Sequence, residues 1–188
     1  MSLSHQFLLR SNGWGQQLPR LGFQVASLGN IVMYLDACNS YLQAFAGLND
    51  GANHGSTYCI EQLPSADSLD VALGLYFSAM YTSRTPPQPA ASWNIRTTRL
   101  ADDWESHLTE VAIHWFFRQE FSPRIEDYND YKVQGAAKRF LERLTAIVGA
   151  SRAFQVETTP PMWYECVWAD YAFERGNSRW LLHFGFSD

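Results

Sequence analysis

The sequence predicts an α+β domain, in which about four helices pack on one face of a small antiparallel sheet that ends in a C-terminal β-hairpin. Apolar residues recur at helical spacing in four stretches between residues 28 and 148. Stretches typical of strands follow from residue 153 onwards, and the last two flank a Gly-Asn turn. Helices that precede strands indicate a segregated α+β arrangement rather than alternating β–α units. A chain of 188 residues is expected to form a single domain over residues 1–188.

The first two helices are predicted over residues 28–48 and 67–82. The first ends at Asn49-Asp50-Gly51, and Asp67 and Asp70 favour the start of the second because carboxylates stabilise a helix N-terminus. Their apolar stripes are Ile31, Leu35, Cys38, Leu42 and Phe45 in the first helix, and Leu69, Leu73, Tyr76, Phe77 and Met80 in the second. These two stripes predict the faces that pack on the sheet.

Two irregular segments separate the early helices. Residues 51–63 are polar and lead into a short Tyr58-Cys59-Ile60 run. His54 and Cys59 are close enough in sequence to suggest a Cys–His pair, but a separation of five residues guarantees neither a base within hydrogen-bond reach of the thiol nor an oxyanion site. Residues 82–98 contain three prolines and cannot be helical at their centre. The second segment is therefore either a surface binding loop or a long connector.

The third and fourth helices are predicted over residues 102–121 and 130–148. The second half of the third helix is apolar most of the way round, which indicates deep burial. The apolar stripe of the fourth helix ends at Ile147, and Gly149 suits a helix C-terminus. A short strand over residues 153–157 then precedes the hairpin.

The hairpin has a predicted register. Strands over residues 163–174 and 179–187 flank Gly176-Asn177, a pair that favours a two-residue turn. Centring the turn there pairs Phe173 with Trp180, Tyr171 with Leu182, Ala169 with Phe184 and Val167 with Phe186 on one face; the other face pairs Glu174 with Arg179, Asp170 with His183 and Trp168 with Gly185. The first of these faces is the predicted floor for the helices.

A transition-metal site was considered on the third helix. His107, Glu110 and His114 lie at i, i+3 and i+7, on one side of the helix. The two histidines are separated by ~10 Å along the axis, since each residue rises ~1.5 Å, so one ion could not contact both. A solvated polar strip is the favoured interpretation, and the sequence predicts no metal and no cofactor.

Composition and charge narrow the class of protein. Fourteen basic and nineteen acidic residues give a net charge of −5, which argues against nonspecific nucleic-acid binding. Three widely spaced cysteines without a CxxC motif fit reduced thiols, and no apolar stretch approaches the ~20 residues of a membrane span. We therefore expect a cytoplasmic protein that contacts neither nucleic acid nor membrane.

The second face of the hairpin is the predicted binding surface. It carries two aromatic residues among charges: Tyr164, Trp168, Asp170, Arg179 and His183. Exposed aromatic residues in a charged surround are typical of recognition surfaces, although the N-terminal segment could equally cover them. The motifs of common enzyme classes are absent from the sequence, so no catalytic residue is assigned. The sequence favours a non-catalytic protein-interaction domain, such as an inhibitor, an immunity-type neutraliser or a regulator, with a protein as its partner.

The alternative is a small enzyme or ligand-binding domain with a pocket between the sheet and the helices. In that case Asp170–His183 or His107–Glu110 would supply acid–base groups. This alternative depends on an analogy between folds alone.

Overall fold

A computed structural model describes residues 18–51, 53–80, 92–117, 130–161 and 163–188, with side chains from residue 31 onwards. The helices are α1 (Leu18–Asn49), α2 (Leu69–Ala79), α3 (Trp104–Phe117) and α4 (Tyr131–Val148). The strands are β1 (Gly55–Gln62), β2 (Asn94–Arg99), β3 (Arg152–Thr159), β4 (Val167–Arg175) and β5 (Ser178–Ser187). The predicted α+β class, with four helices and a C-terminal hairpin, is confirmed.

The five strands form one antiparallel sheet in the order β1-β5-β4-β3-β2. Within the β4–β5 hairpin, Phe173 pairs with Trp180 and Asp170 with His183, as the predicted register requires. Gly176 has a φ of 58° at the turn, a value that costs glycine little because it lacks a Cβ. The turn chemistry and the alternation of apolar side chains therefore set this register together.

Three of the four helices, α1, α3 and α4, cover one face of the sheet, here called the three-helix face. The large buried side chains that the sheet contributes come from β1, β4 and β5: Tyr58, Ile60, Tyr171, Phe173, Trp180, Leu182, Phe184 and Phe186. Phe184 lies at the centre, since its ring contacts those of Tyr58, Trp115 and Phe140. This face is the floor that the sequence predicted.

Helix α2 packs on the opposite face, here called the α2 face, and this differs from the expectation that all helices share one face. The buried residues of α2 pack against side chains of β3, β4 and β5 and against residues that flank β1, β2 and β4. The members of this core are Leu63, Leu69, Ala72, Leu73, Phe77, Trp93, Val156, Tyr164, Ala172 and Leu181. Both faces of the central strands β4 and β5 are apolar over part of their length, so each face needs a cover. The helix is capped by the Ser68 hydroxyl, which accepts a hydrogen bond from the Val71 amide.

Two strands, β1 and β2, are absent from the prediction. The segment that contains β1 reads as a polar loop because its alternation is interrupted by Gly55, Ser56 and Thr57, yet it pairs with β5 over its whole length. β2 lies within the predicted Pro-rich segment 82–98 and pairs with β3. Residues 82–91 of that segment lie outside the described residues. Long-range pairing with β5 and β3 thus creates these strands in spite of unfavourable local sequence.

The helix limits also differ in part from the prediction. α1 begins at Leu18, ten residues before the predicted start at residue 28, whereas α4 matches its predicted limits to within one residue. The predicted C-terminal ends of α2 and α3 fall at residues 82 and 121, outside the described part of the chain.

Polar side chains of α1 hold β1 in place. The side-chain Nδ2 of Asn39 donates to the backbone carbonyl of Ile60 at 2.9 Å, and the backbone amide of Ile60 donates to Asn39 Oδ1 at 2.8 Å. At the end of α1, buried Asn49 donates to the Tyr58 hydroxyl, and both side chains donate to the Trp115 carbonyl. These bonds join α1, β1 and α3 and satisfy polar groups that would otherwise be costly to bury.

No helix within the described ranges is both long and apolar enough to span a membrane.

Candidate functional site

The five residues of the predicted binding surface lie together on the α2 face. Trp168 and Asp170 extend from β4, Arg179 and His183 from β5, and Tyr164 precedes β4. The strand register places Trp168, Asp170, Arg179 and His183 on one face, as predicted, and Tyr164 packs in the hydrophobic core of the same face. The structure thus brings all five to the same side of the sheet.

Their predicted exposure is wrong for four of the five. Tyr164, Asp170, Arg179 and His183 are between 1% and 8% exposed, and only Trp168 is partly accessible. The physical reason is that α2 and the segment before β4 cover this face. The sequence predicted that the face is either exposed to solvent or covered by the N-terminal segment. Direct contact of these four side chains with a partner would require the cover to open. Their role in binding stays a prediction.

Arg179 has a structural environment. Its guanidinium forms an ion pair with Glu174 at 2.8 Å and donates to the Ala66 carbonyl at 2.7 Å. Glu174 also contacts Arg152, so one carboxylate serves two guanidinium groups. The cross-strand pair of Glu174 with Arg179 was predicted, and the additional bond to Ala66 fixes the loop that leads into α2.

His183 is the centre of a buried polar cluster. Its Nδ1 atom lies 2.7 Å from Asp170 Oδ1 and 3.2 Å from the Tyr164 hydroxyl oxygen. Its Nε2 atom lies 3.7 Å from Glu165 Oε1. Because each ring nitrogen faces a carboxylate, the doubly protonated imidazolium is the form that satisfies both.

Gly185 provides the space for the second carboxylate. A Cβ at this position would lie 2.5 Å from His183 Nε2 and 2.8 Å from Glu165 Oε1. The Glu165 carboxylate therefore occupies the position of the missing side chain, and its other oxygen accepts a hydrogen bond from the Ser187 hydroxyl. A glycine inside a strand often marks such a close approach.

The electrostatics of the cluster favour a charged histidine. Burial alone would lower the pKa of His183, but the hydrogen bond to Asp170 and the nearby carboxylate of Glu165 outweigh it and raise this pKa to about 9. Burial raises the pKa of Asp170, and the hydrogen bond from His183 opposes that effect. Asp170 Oδ2 is buried and has no hydrogen-bond partner among the described residues, which adds to the cost of ionising Asp170.

Cys59 lies opposite His183 in the β1–β5 register, so a cysteine, a histidine and an aspartate stand in a row across three adjacent strands. Burial raises the pKa of the Cys59 thiol to about 12, and the carboxylates of Glu61, Asp170 and Glu165 act in the same direction. A nucleophilic cysteine must be a thiolate, and these surroundings disfavour that form. The row therefore has the residue types of a catalytic triad without its electrostatics.

The pairing of Cys59 with His54, which was weighed from the sequence, does not form. The His54 ring contacts Phe186, which belongs to the three-helix face, whereas Cys59 lies on the α2 face. The partner of Cys59 across the sheet is His183, 124 residues away in the chain. Only the β1–β5 pairing could reveal it.

The candidate metal ligands His107, Glu110 and His114 are all exposed on α3. The His107 and His114 rings contact those of the buried Tyr171 and Trp115, respectively. No group of three potential metal ligands is found among the residues that the structure describes.

The surface that sequence reasoning missed is the outer side of α2. Val71, Leu75 and Ala79 recur every four residues along one side of the helix and are exposed, the first two by 51% and 46%. We call these three residues the α2 strip. The signal was present in the sequence LDVALGLYFSA, which contains one charged residue and is therefore apolar on more sides than the sheet can bury.

Comparisons with known proteins give little that bears on function. No family model matches the chain, and no curated protein sequence matches it. Among solved structures, a crystal structure of citrus MAF1 is similar with a TM-score of 0.44 and 12% identity, covering 82% of this chain and 98% of that chain. At this level of similarity the match supports no conclusion about activity or partners.

Proposed function

We propose that this chain is a non-catalytic protein-interaction domain, such as an inhibitor, an immunity-type neutraliser or a regulator, and that it binds its protein partner through the α2 strip. The observation that supports the proposal is that α2 buries one side on the sheet yet still presents Val71, Leu75 and Ala79 to solvent on the other side. Exposed apolar side chains grouped on one element mark interaction sites more often than singly scattered ones do.

The polar cluster supports the same proposal. In a catalytic dyad the free nitrogen of the histidine faces a nucleophile or a substrate. Here Nε2 of His183 faces Glu165, and the cluster ties the segment that precedes β4 to the sheet. Its geometry suits the anchoring of the α2 face.

The alternative, an enzyme with a pocket between sheet and helices, finds less support. The three-helix face is filled by stacked and edge-on aromatic rings, among them Trp115 against Phe184 and Phe45 against Phe116. Of the two acid–base pairs considered, Asp170–His183 lies on the opposite face and His107–Glu110 lies on the solvent side of α3.

Affinity capture of proteins from a cell lysate, with the wild type and two matched variants as baits, tests the proposal. Leu75→Glu places a carboxylate on the α2 strip, and Tyr131→Glu places one at a 77% exposed residue of α4, which packs on the other face of the sheet. We expect a near-stoichiometric protein to be retained by the wild type and by Tyr131→Glu. Its recovery with Leu75→Glu should fall at least about tenfold, because an unpaired charge is costly inside an apolar contact.

Thermal unfolding of the three proteins shows whether they are equally folded, since both substitutions are at exposed positions. The proposal is contradicted if Leu75→Glu retains the same protein at the same yield, or if the wild type retains no protein above the level of an unrelated bait.

A further inference from the structure

Acidic residues outnumber basic ones in the part of the sequence that contains the α2 strip. The sequence from Leu21 to Ser83 contains no lysine and no arginine but five acidic residues: Asp36, Asp50, Glu61, Asp67 and Asp70. The last three lie beside α2. This stretch of the sequence is therefore more acidic than the chain as a whole.

The structure positions these three acids around the strip. Asp67 and Asp70 lie at the start of α2, where Asp70 accepts a hydrogen bond from the Thr97 hydroxyl at 3.4 Å. Glu61 extends from β1 and contacts Tyr76, so it lies beside the middle of the helix. All three residues are exposed, and we call them the acidic rim.

The arginines that the structure describes on the α2 face, Arg99, Arg152 and Arg179, are each paired with a carboxylate. The guanidinium of Arg179 is close to the start of the helix, since it donates to the Ala66 carbonyl, but it is buried and paired with Glu174. The positive end of the helix dipole reduces the potential of Asp67 and Asp70 in part and leaves Glu61 unaffected, because the dipole acts within one turn. A negative field thus remains around an apolar centre.

We propose that the α2 strip and its acidic rim dock a protein segment whose apolar residues are flanked by lysines or arginines. This inference rests on the proposed function and adds the chemistry of the partner. The strip alone would accept any apolar segment, whereas the rim selects a cationic one, since rim charges set specificity and association rate.

The same charges exclude other occupants. Phosphate groups of nucleic acids and anionic lipid surfaces would be repelled by the acidic rim. A second copy of this chain that met the strip about a two-fold axis would bring the two acidic rims together, because both copies use the same patch. A cationic protein segment has no such conflict.

A labelled amphipathic peptide of leucine and lysine, about five helical turns long, serves as the probe. Its binding to the full chain is followed by fluorescence anisotropy, with a leucine–glutamate peptide as the control. We expect the lysine peptide to bind and the glutamate peptide not to bind. Raising the salt from about 0.05 to about 0.5 M should weaken binding several-fold, since the Debye length shortens. Equal binding of the two peptides, or binding that is insensitive to salt, would overturn the inference without any variant.

Two matched triple variants separate the rim from net charge. Glu61→Gln/Asp67→Asn/Asp70→Asn neutralises the rim, and Glu105→Gln/Glu110→Gln/Glu142→Gln neutralises three exposed acids of α3 and α4. We expect the rim variant to bind the lysine peptide at least about tenfold more weakly and the control to stay within about twofold, as for the joint loss of several exposed ion pairs. If both triple variants bound the lysine peptide equally weakly, the net charge of the chain alone would explain the attraction and the inference would be overturned.

The protein captured in the preceding experiment distinguishes the two proposals. If Val71→Ser/Leu75→Ser releases it and the rim variant retains it, the binding surface stands and the inferred charge of the partner is wrong. If neither variant releases it, the proposed function fails. A dimer in sedimentation that Leu75→Ser dissociates would assign the strip to a second copy and overturn the inference.

Discussion

At the scale of single residues, the α2 face is organised by His183. The imidazole lies between Asp170 on the neighbouring strand and Glu165 in the segment before β4, and Gly185 leaves the space that Glu165 occupies. A buried charged group is stable only when groups of opposite charge are held in position around it. The cluster therefore links the protonation of one histidine to the attachment of a whole segment.

The stability of the fold should depend on pH through His183. Its pKa rises from 6.5 to about 9 on folding, so the folded state holds the proton more tightly than the unfolded chain. The stabilisation is fully present below pH 6.5 and is lost as the pH rises towards 9; it amounts to roughly 3 kcal/mol. Urea unfolding at several pH values should show the free energy of unfolding falling over this range.

His183→Gln provides the comparison for this prediction, because it keeps a polar side chain and removes the titration. We expect a less stable protein whose free energy of unfolding changes little between pH 6.5 and 9. An equally steep fall in the variant would assign the pH dependence to other groups.

At the scale of elements, α1 protects an edge of the sheet. β1 is an outer strand, and its outward backbone groups at Ile60 are paired with the side-chain amide of Asn39. An asparagine can imitate a backbone amide because it presents one donor and one acceptor in the same plane. The long helix thus closes an edge that could otherwise pair with another chain.

We expect Asn39→Ala to lower the free energy of unfolding by about 1–3 kcal/mol, because it removes both hydrogen bonds to Ile60 and leaves the backbone groups unpaired. Ser40→Ala, at the next and exposed position of α1, is the control and should be nearly neutral. Chemical unfolding monitors stability, and light scattering monitors association through the β1 edge. Equal effects of the two substitutions would show that the Asn39 pairing contributes no stability.

At the scale of the whole molecule, one sheet joins two hydrophobic cores. The core under α1, α3 and α4 and the core under α2 draw on alternate residues of the same strands, so Leu182 belongs to the first and its neighbour Leu181 to the second. Neither core can lose its strands without exposing the other. That residues 1–188 behave as a single domain stays a prediction, which the following experiment tests.

Cooperative unfolding is the expected consequence. Leu181→Ala and Leu182→Ala truncate fully buried side chains in the two cores, and each should lower the free energy of unfolding by about 2–5 kcal/mol. Tryptophan fluorescence and far-UV circular dichroism should report one coincident transition in the wild type and in both variants. Two transitions, each shifted by only one of the substitutions, would indicate that the cores unfold separately.

The extent of prediction differs between local and distant features. The hairpin register of Asp170 with His183, the capping end of α4 and the apolar stripe of α4 follow from neighbours in sequence, and the structure confirms them. In the second helix Leu69, Leu73 and Phe77 are buried as predicted, but Met80 is 42% exposed because it lies beyond the end of α2. The strands β1 and β2 depend on partners far along the chain, β5 and β3, and their local sequence contains turn-forming residues or follows prolines. A strand that is stabilised by pairing with a distant segment is difficult to predict from its own local sequence.

The sequence by itself determined the α+β class, the C-terminal hairpin and which side chains share each of its faces, because periodicity and turn chemistry are local properties. Only the tertiary structure decided which face each helix covers. The stripe of α2 is as apolar as those of the other helices, and nothing local distinguishes the two sides of a sheet whose central strands are apolar on both. The placement of α2 buried the predicted surface of Tyr164, Asp170 and His183 and made the outer side of α2 the surface that remains for a partner.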